Sequence, residues 1–214
     1  MSEQLSKIER PPVEGYMAAR KIYFIPLIFI PLQPQPDLDE IVNRYWEQAQ
    51  TQLTNLETKL SKANKVYHEL IPVGSEEGAK AIQEINKDSY QIARARLDSG
   101  AELVPLESAD LLTEFMDWSK CLAVGLQNPK VFDRVWEFYS DAQKRRNEYM
   151  AKQIDESLKP GEAGILLMRE GHAVQFPPDI QVFYISPPGL DEINRWFREH
   201  AGKPGPQKDE KQDI

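Results

Sequence analysis

The most apolar stretch of the chain reads IYFIPLIFIPL, from Ile22 to Leu32. A run that is apolar on both faces and rich in β-branched and aromatic residues is typical of a strand buried in a parallel sheet. Pro26 and Pro31 cannot donate ladder hydrogen bonds, so we expect this strand to be bulged, short or at a sheet edge. At about 11 residues the run is well short of the ~20 that a membrane-spanning helix needs.

Helix and strand patterns alternate on the C-terminal side of this run. Asp37, with Glu40 three residues later in capping-box spacing, predicts the start of a long amphipathic helix of roughly six or seven turns. Cap residues, terminating glycines and apolar periodicity predict the remaining elements. They are, in order, strand Lys65 to Ile71, helix Ser75 to Ser99, strand Ala101 to Leu106, helix Ser108 to Gly125, helix Asn128 to Leu158, strands Gly164 to Met168 and Gln181 to Ile185, and helix Leu190 to His200.

This alternation decides the fold class. Helices between strands require crossover connections, which are right-handed and leave the joined strands parallel. The link from Met168 to Gln181 has no helical pattern, so the last strand pair is either antiparallel or joined by a long irregular loop. We therefore predict an α/β fold with a largely parallel sheet of about five strands flanked by long helices.

Length and composition predict one domain. A chain of 214 residues with 41% hydrophobic residues can bury a single core, which we place at residues 21–202. Residues 1–20 have few large apolar side chains and contain Pro11-Pro12, and are predicted to form a loosely ordered arm. Residues 203–214, KPGPQKDEKQDI, are predicted to form a disordered charged tail.

Charge narrows the range of partners. With 34 acidic and 26 basic side chains the formal charge is −8, which repels phosphate groups within the screening length of roughly 8 Å. Nucleic acid and anionic membrane are therefore unfavourable partners. Lys144, Arg145 and Arg146 form a compact basic cluster, but Asp141 and Glu148 dilute it, and we interpret the cluster as a solvated helix face.

A single cysteine, Cys121, excludes an intramolecular disulfide and a cysteine-based zinc site. We expect its side chain to pack as a small apolar group within a helix. Cysteine usage favours a reducing compartment, and the mixed-charge segment before Ile22 does not resemble a secretory signal. The sequence thus predicts a cytoplasmic protein.

Polar side chains lie in the last residues of the predicted strands or directly after them, at the carboxyl ends, where a parallel sheet binds its ligands. These positions are occupied by His68, Glu69, Glu107, Arg169, Glu170 and His172. A histidine and two carboxylates at one edge would suit a divalent metal with an activated water, or metal-free acid–base chemistry. The spacing leaves both open. Phosphate-binding loops, dinucleotide-binding turns, serine nucleophile elbows and zincin helices have no counterpart in the sequence.

From Arg146 the chain reads RNEYMAKQIDESLKPGEAGILLMREGHAV. This segment resembles the closing part of the TraB-type and erythromycin-esterase-like group of α/β proteins. On that resemblance Arg146, Asn147, Met150 and Ala151 match the family's helix, and Gly171-His172 matches the turn after its strand. The resemblance implies an α/β fold, a site at the strand ends and, for some members, metal-dependent hydrolysis. The family's early strand ends in glycine and histidine, where this chain has Pro31, Leu32 and Gln33.

Two functional hypotheses follow. The first is a hydrolase-like site with Glu69, Glu107 and His172 as catalytic residues, in which four further residues bind a small-molecule substrate: Arg146, Arg169, His68 and Glu170. The second is a non-catalytic binding module or homo-oligomeric assembly module that keeps an enzyme-like fold. It draws on two long helices and on aromatic residues that could form a dimer surface, namely Trp46, Trp136, Tyr139 and Trp196.

Overall fold

A computed structural model describes residues 18–31 and 35–200. Its strands are β1 (Arg20–Pro26), β2 (Ala63–His68), β3 (Glu102–Leu103), β4 (Ala163–Met168) and β5 (Ile180–Tyr184). Its helices are α1 (Pro36–Lys59), α2 (Ser75–Ile85), α3 (Lys87–Leu97), α4 (Ala109–Ala123), α5 (Pro129–Ser157) and α6 (Pro188–His200). The predicted tail at 203–214 lies outside the described residues, as does all but the last three residues of the arm predicted at 1–20.

The five described strands form one sheet in the order β3-β2-β4-β1-β5. Every pairing is parallel, which confirms the predicted α/β class with a parallel sheet flanked by helices. The antiparallel alternative for the last strand pair is wrong. β5 pairs with β1, not with β4, and runs parallel to it. The irregular segment between β4 and β5 therefore runs back across the face of β1, where Val174 and Phe176 belong to the same apolar cluster as Ile22 and Phe24. It leaves β5 parallel to β1 without a helix in the connection.

β1 is an interior strand, flanked by β4 and β5. Of the three alternatives predicted for this strand, the edge position is wrong. The strand is instead short, because it ends at Pro26, and Pro31 lies beyond it. The missing N–H of Pro26 thus falls where the strand ends. All seven residues of β1 are buried, including Arg20 and Lys21, which precede the apolar run.

Alternating side chains of the strands supply two apolar layers. One layer packs against α1, α2, α3 and α6 and includes Tyr23, Ile25, Val66, Ile165 and Leu167. The other packs against the C-terminal half of α5 and includes Ile22, Phe24, Tyr67, Leu166 and Met168. Because Val66 and Tyr67 belong to different layers, the next two residues of the chain, His68 and Glu69, also face opposite sides of the sheet.

Local structure differs from the predictions at three places. The helix predicted from Ser75 to Ser99 is interrupted at Asn86, whose side-chain oxygen accepts from the Ser89 amide at 2.8 Å and caps α3. α1 begins at Pro36 without a side-chain cap, so Asp37 is inside the helix. Cys121 is exposed, contrary to the expectation that it packs inward. The predicted caps at Ser108 and Asn128 are confirmed.

α4 and the first half of α5 form an antiparallel helical hairpin, here called the hairpin (residues 109–141). Phe115 is the only buried residue of α4, and the first buried residue of α5 is Ala142. Most of the hairpin is therefore exposed. Since α5 has 29 residues, it is about 43 Å long, longer than the sheet layer it covers. Of the helices in the described ranges, none combines the length and apolarity that crossing a membrane would require.

Candidate functional site

A cavity of about 200 Å³ opens at the carboxyl ends of β2 and β4. Glu69 follows the last residue of β2, and Arg169 and His172 follow β4. α5 closes the cavity from the side, with Arg146 among its lining residues. This is the edge at which parallel α/β sheets bind ligands.

Arg146 is the centre of a buried ion-pair network. Its Nε donates to Glu107 Oε2 at 2.9 Å, and its Nη2 donates to Glu107 Oε1 and to Glu69 Oε1, the latter at 3.2 Å. The side chains of Arg146 and Glu69 are each 5% exposed and that of Glu107 is 0% exposed. Buried charges survive only when paired and hydrogen-bonded, and here each carboxylate has a guanidinium partner.

Arg169 completes the network from the solvent side. Its backbone amide donates to Glu69 Oε2 at 2.9 Å, and its Nη2 donates to Glu69 Oε1 at 2.7 Å. Burial by itself would raise the pKa of Glu69, but Arg169 and, more weakly, Arg146 outweigh it and hold that pKa below its ordinary value. Glu69 is therefore an anion at neutral pH, and both of its oxygens accept hydrogen bonds.

The turn after β2 is shaped to hold Glu107. Leu70 adopts a left-handed backbone with φ of 70°, which costs free energy for a residue other than glycine. Its amide donates to Glu107 Oε1 at 3.1 Å. Strained backbone of this kind is concentrated at functional sites, where surrounding contacts enforce it.

His172 differs from the carboxylates because one of its hydrogen bonds is unmade. Its ring lies 5.0 Å from the Phe24 ring and 5.8 Å from the Phe176 ring, measured between centroids. Within the described residues, its Nδ1 is buried without a hydrogen-bond partner. Burial lowers the pKa of His172, and the charge of Glu69 offsets only part of that effect, so the imidazole is neutral at pH 7. Such an unmade hydrogen bond costs about 1–3 kcal/mol.

The structure brings most of the predicted site residues together. Glu69, Arg146, Arg169, Glu170 and His172 line the cavity. Glu107 is joined to them through Arg146 but does not line the cavity itself.

His68, predicted to bind substrate, lies on the opposite face of the sheet. It is fully buried, and its Nε2 lies 3.0 Å from Ser89 Oγ. Burial lowers the pKa of His68 to about 4. This placement is that of a neutral core histidine in the α3 layer, away from the cavity.

A metal centre does not fit the donor set. Within residues 18–31 and 35–200, no three or more histidine, cysteine, aspartate or glutamate side chains are grouped so that they could hold a metal ion. The physical reason is that Glu69 and Glu107 already accept hydrogen bonds from guanidinium groups of arginine, so their oxygens are not arranged around a metal ion.

Phe115, Tyr139 and Gln143 also line the cavity but were not predicted as site residues from the sequence, where Tyr139 was assigned to a possible dimer surface. Gln143 is a polar residue four positions after Tyr139 and three before Arg146, which places all three on one side of a helix. A polar residue within an apolar stripe was the sequence signal that could have identified Gln143. No sequence signal identified Phe115, because its position depends on how α4 packs against α5.

Comparison with protein-family models, with curated proteins and with solved structures finds no match. The resemblance to the TraB-type and erythromycin-esterase-like group stays a prediction based on residues 146–174.

Proposed function

We propose that the protein binds a small molecule with acceptor oxygens, of the carboxylate class, in the cavity at the ends of β2 and β4. The observation that carries this proposal is the state of the two guanidinium groups. Within the described residues, Nη1 of Arg146 and Nη1 of Arg169 make no hydrogen bond, although both residues line the cavity. Two cationic donors with unused N–H groups favour a ligand that accepts hydrogen bonds.

The network supports binding because it fixes the donors in advance. Glu107 holds Arg146, and Glu69 holds Arg169, in each case through Nε and Nη2. The Nη1 side of each group remains for a ligand. A guanidinium already ordered by its neighbours loses little conformational entropy on binding, so more of the contact energy contributes to affinity.

A hydrolase-like reaction is the second candidate function, and His172 is the residue that favours it. A general base must be unprotonated and must border the site, and the neutral imidazole of His172 in the lining of the cavity meets both conditions. Glu69 suits this role less well, because its lowered pKa makes it a weak base. In this candidate function the carboxylates position the arginines, and His172 acts on a water.

Titration calorimetry with small carboxylates and with their neutral amide analogues tests the binding proposal. We expect saturable binding of carboxylates and a loss of affinity of about 10-fold or more in Arg169→Gln, since a charge-assisted hydrogen bond is lost. Arg44→Gln is the matched control. Arg44 is 38% exposed against 47% for Arg169 and also pairs with a glutamate, but it lies on α1 in the other layer. Equal binding by Arg169→Gln and the native chain, or no saturable binding of any carboxylate, would overturn the proposal.

A further inference from the structure

Four aromatic rings and one guanidinium form a continuous series along the hairpin. The Phe132 and Trp136 rings stack at 6.2 Å, Trp136 and Tyr139 lie 5.5 Å apart, and Tyr139 and Phe115 lie 5.3 Å apart, all between centroids. The guanidinium carbon of Arg146 lies over the Phe115 ring at 4.7 Å. We call Phe132, Trp136, Tyr139 and Phe115 the aromatic ladder.

The aromatic ladder leads from solvent into the cavity. Phe132 is 42% exposed and Trp136 is 51% exposed, whereas Phe115 is 6% exposed. Tyr139 and Phe115 line the cavity itself. Phe132, Trp136 and Tyr139 are four and three residues apart, so they lie on the same side of α5 as Arg146.

Large aromatic rings in contact with water are unfavourable, so the exposed end of the ladder needs an explanation. The cavity gives one, because the inner rings of the ladder, Tyr139 and Phe115, belong to its lining. A ligand whose polar head is held at Arg146 and whose remainder extends towards solvent on this side would pass along these rings.

We infer that the ligand is amphipathic, with a carboxylate-type head at Arg146 and Arg169 and an apolar chain lying along Tyr139, Trp136 and Phe132. This inference rests on the proposed function and names the class of ligand. Arg146 and Phe132 are 14 residues apart on α5, about 21 Å along its axis, which sets the distance over which the chain contacts the ladder. Burial of the exposed ring faces under that chain supplies the added affinity.

A neighbouring depression provides the contrasting route. It shares Gln143, Asn147 and Ala173 with the cavity, and its other lining residues are Ser140, Lys144, Glu148, Ala151 and Gln175. This lining contains no aromatic ring, so a ligand that extended into the depression would not contact Trp136. The aromatic ladder is the route that offers ring faces to an apolar chain.

The experiment is titration calorimetry of the full chain with straight-chain carboxylates of increasing length, kept below the concentration at which they form micelles. We expect affinity to rise about twofold to fourfold with each added methylene until the chain passes Phe132. Trp136→Ala should flatten this dependence on length and leave the affinity for the shortest carboxylate that binds unchanged.

Phe138→Ala is the matched control. Phe138 is on the same helix and is 42% exposed, as Phe132 is, but it stacks on Trp118 and is not part of the aromatic ladder. Its replacement should preserve the dependence on chain length.

The possible results distinguish failure of this inference from failure of the proposed carboxylate binding. Short carboxylates that bind through Arg169 without any gain from added methylenes would overturn the inference and leave the proposed function standing. An affinity that rises with added methylenes but is insensitive to Trp136→Ala would also overturn it, because the chain would then lie in the neighbouring depression. If the protein self-associates in sedimentation and Trp136→Ala abolishes the association, the aromatic ladder binds a second copy of the protein, and the inference is overturned. Absence of any carboxylate binding would overturn the proposed function itself.

Discussion

Arg146 and Glu107 form a doubly hydrogen-bonded ion pair across 39 positions of sequence, and water does not reach the Glu107 side chain. This pair joins α5 to the segment after β3. It also fixes the guanidinium that borders the cavity, so the stability of the fold and the geometry of the site depend on the same contact.

Replacing Arg146 by leucine should lower the free energy of unfolding by about 3–5 kcal/mol, because Glu107 would be left buried without its cation. The double variant Arg146→Leu/Glu107→Leu should be less destabilised than Arg146→Leu alone, since no orphaned charge remains. Urea unfolding of the native chain, both single variants and the double variant measures the coupling. Additive effects of the two substitutions would contradict the pairing.

His68 should make stability depend on pH between 6.5 and about 4. Its pKa in the folded state is lowered from 6.5 to about 4, so the unfolded chain binds the proton more tightly in this range. The contribution of the neutral His68 to the free energy of unfolding is complete above pH 6.5 and is lost as pH falls towards 4. It amounts to about 3 kcal/mol by order of magnitude. In His68→Gln, which does not titrate, the decrease in unfolding free energy across this range should be smaller. The exposed His200→Gln is the control, and a profile of His68→Gln parallel to that of the native chain would argue against a buried neutral imidazole.

Glu69 should make the free energy of unfolding depend on pH in a lower range than His68 does. Its folded pKa lies below the ordinary 4.5, so its contribution to stability is complete above pH 4.5 and is lost as pH falls through the lower folded value. Glu69→Gln should therefore flatten the acid limb of the unfolding free energy below pH 4.5, although it also weakens the fold at neutral pH. Glu77→Gln, at an exposed position in the first turn of α2, provides the comparison. An unchanged acid limb in Glu69→Gln would show that the carboxylate is not held by the arginines.

His172→Phe should separate stability from binding. A phenyl ring fits between Phe24 and Phe176 and removes the buried nitrogen that has no partner. The free energy of unfolding should stay the same or rise by about 1 kcal/mol, whereas carboxylate affinity should fall. Denaturant unfolding and titration calorimetry on the same preparation test both parts. A large loss of stability would mean that the imidazole makes a structural hydrogen bond.

Much of the candidate site could be placed from the sequence, because it lies where strands end. Glu69, Arg169, Glu170 and His172 follow apolar runs whose length and composition identify them as strands, and parallel strands end at one edge. The partners of these residues could not be predicted. Arg169 pairs with Glu69, 100 positions away, although Glu170 is its neighbour in sequence.

Asn86 illustrates the same limit for local structure. Its neighbours have the periodicity of one continuous helix, yet the chain breaks there into α2 and α3. The Asn86 side chain caps α3 and also donates to the Ile28 carbonyl at 2.9 Å, 58 positions away. A contact of that range has no signature in the helix itself.

By itself the sequence determined where the chain forms helices and strands, the parallel class of the sheet and the edge that carries the polar residues. These properties follow from side-chain periodicity, caps and crossover geometry, which act over a few residues. Only the tertiary structure decided the strand order β3-β2-β4-β1-β5, the assignment of His68 and Glu69 to opposite layers, and the pairing of two buried carboxylates with two arginines. Strand neighbours and ion-pair partners are selected by packing across the whole core, where residues far apart in sequence compete for the same buried space.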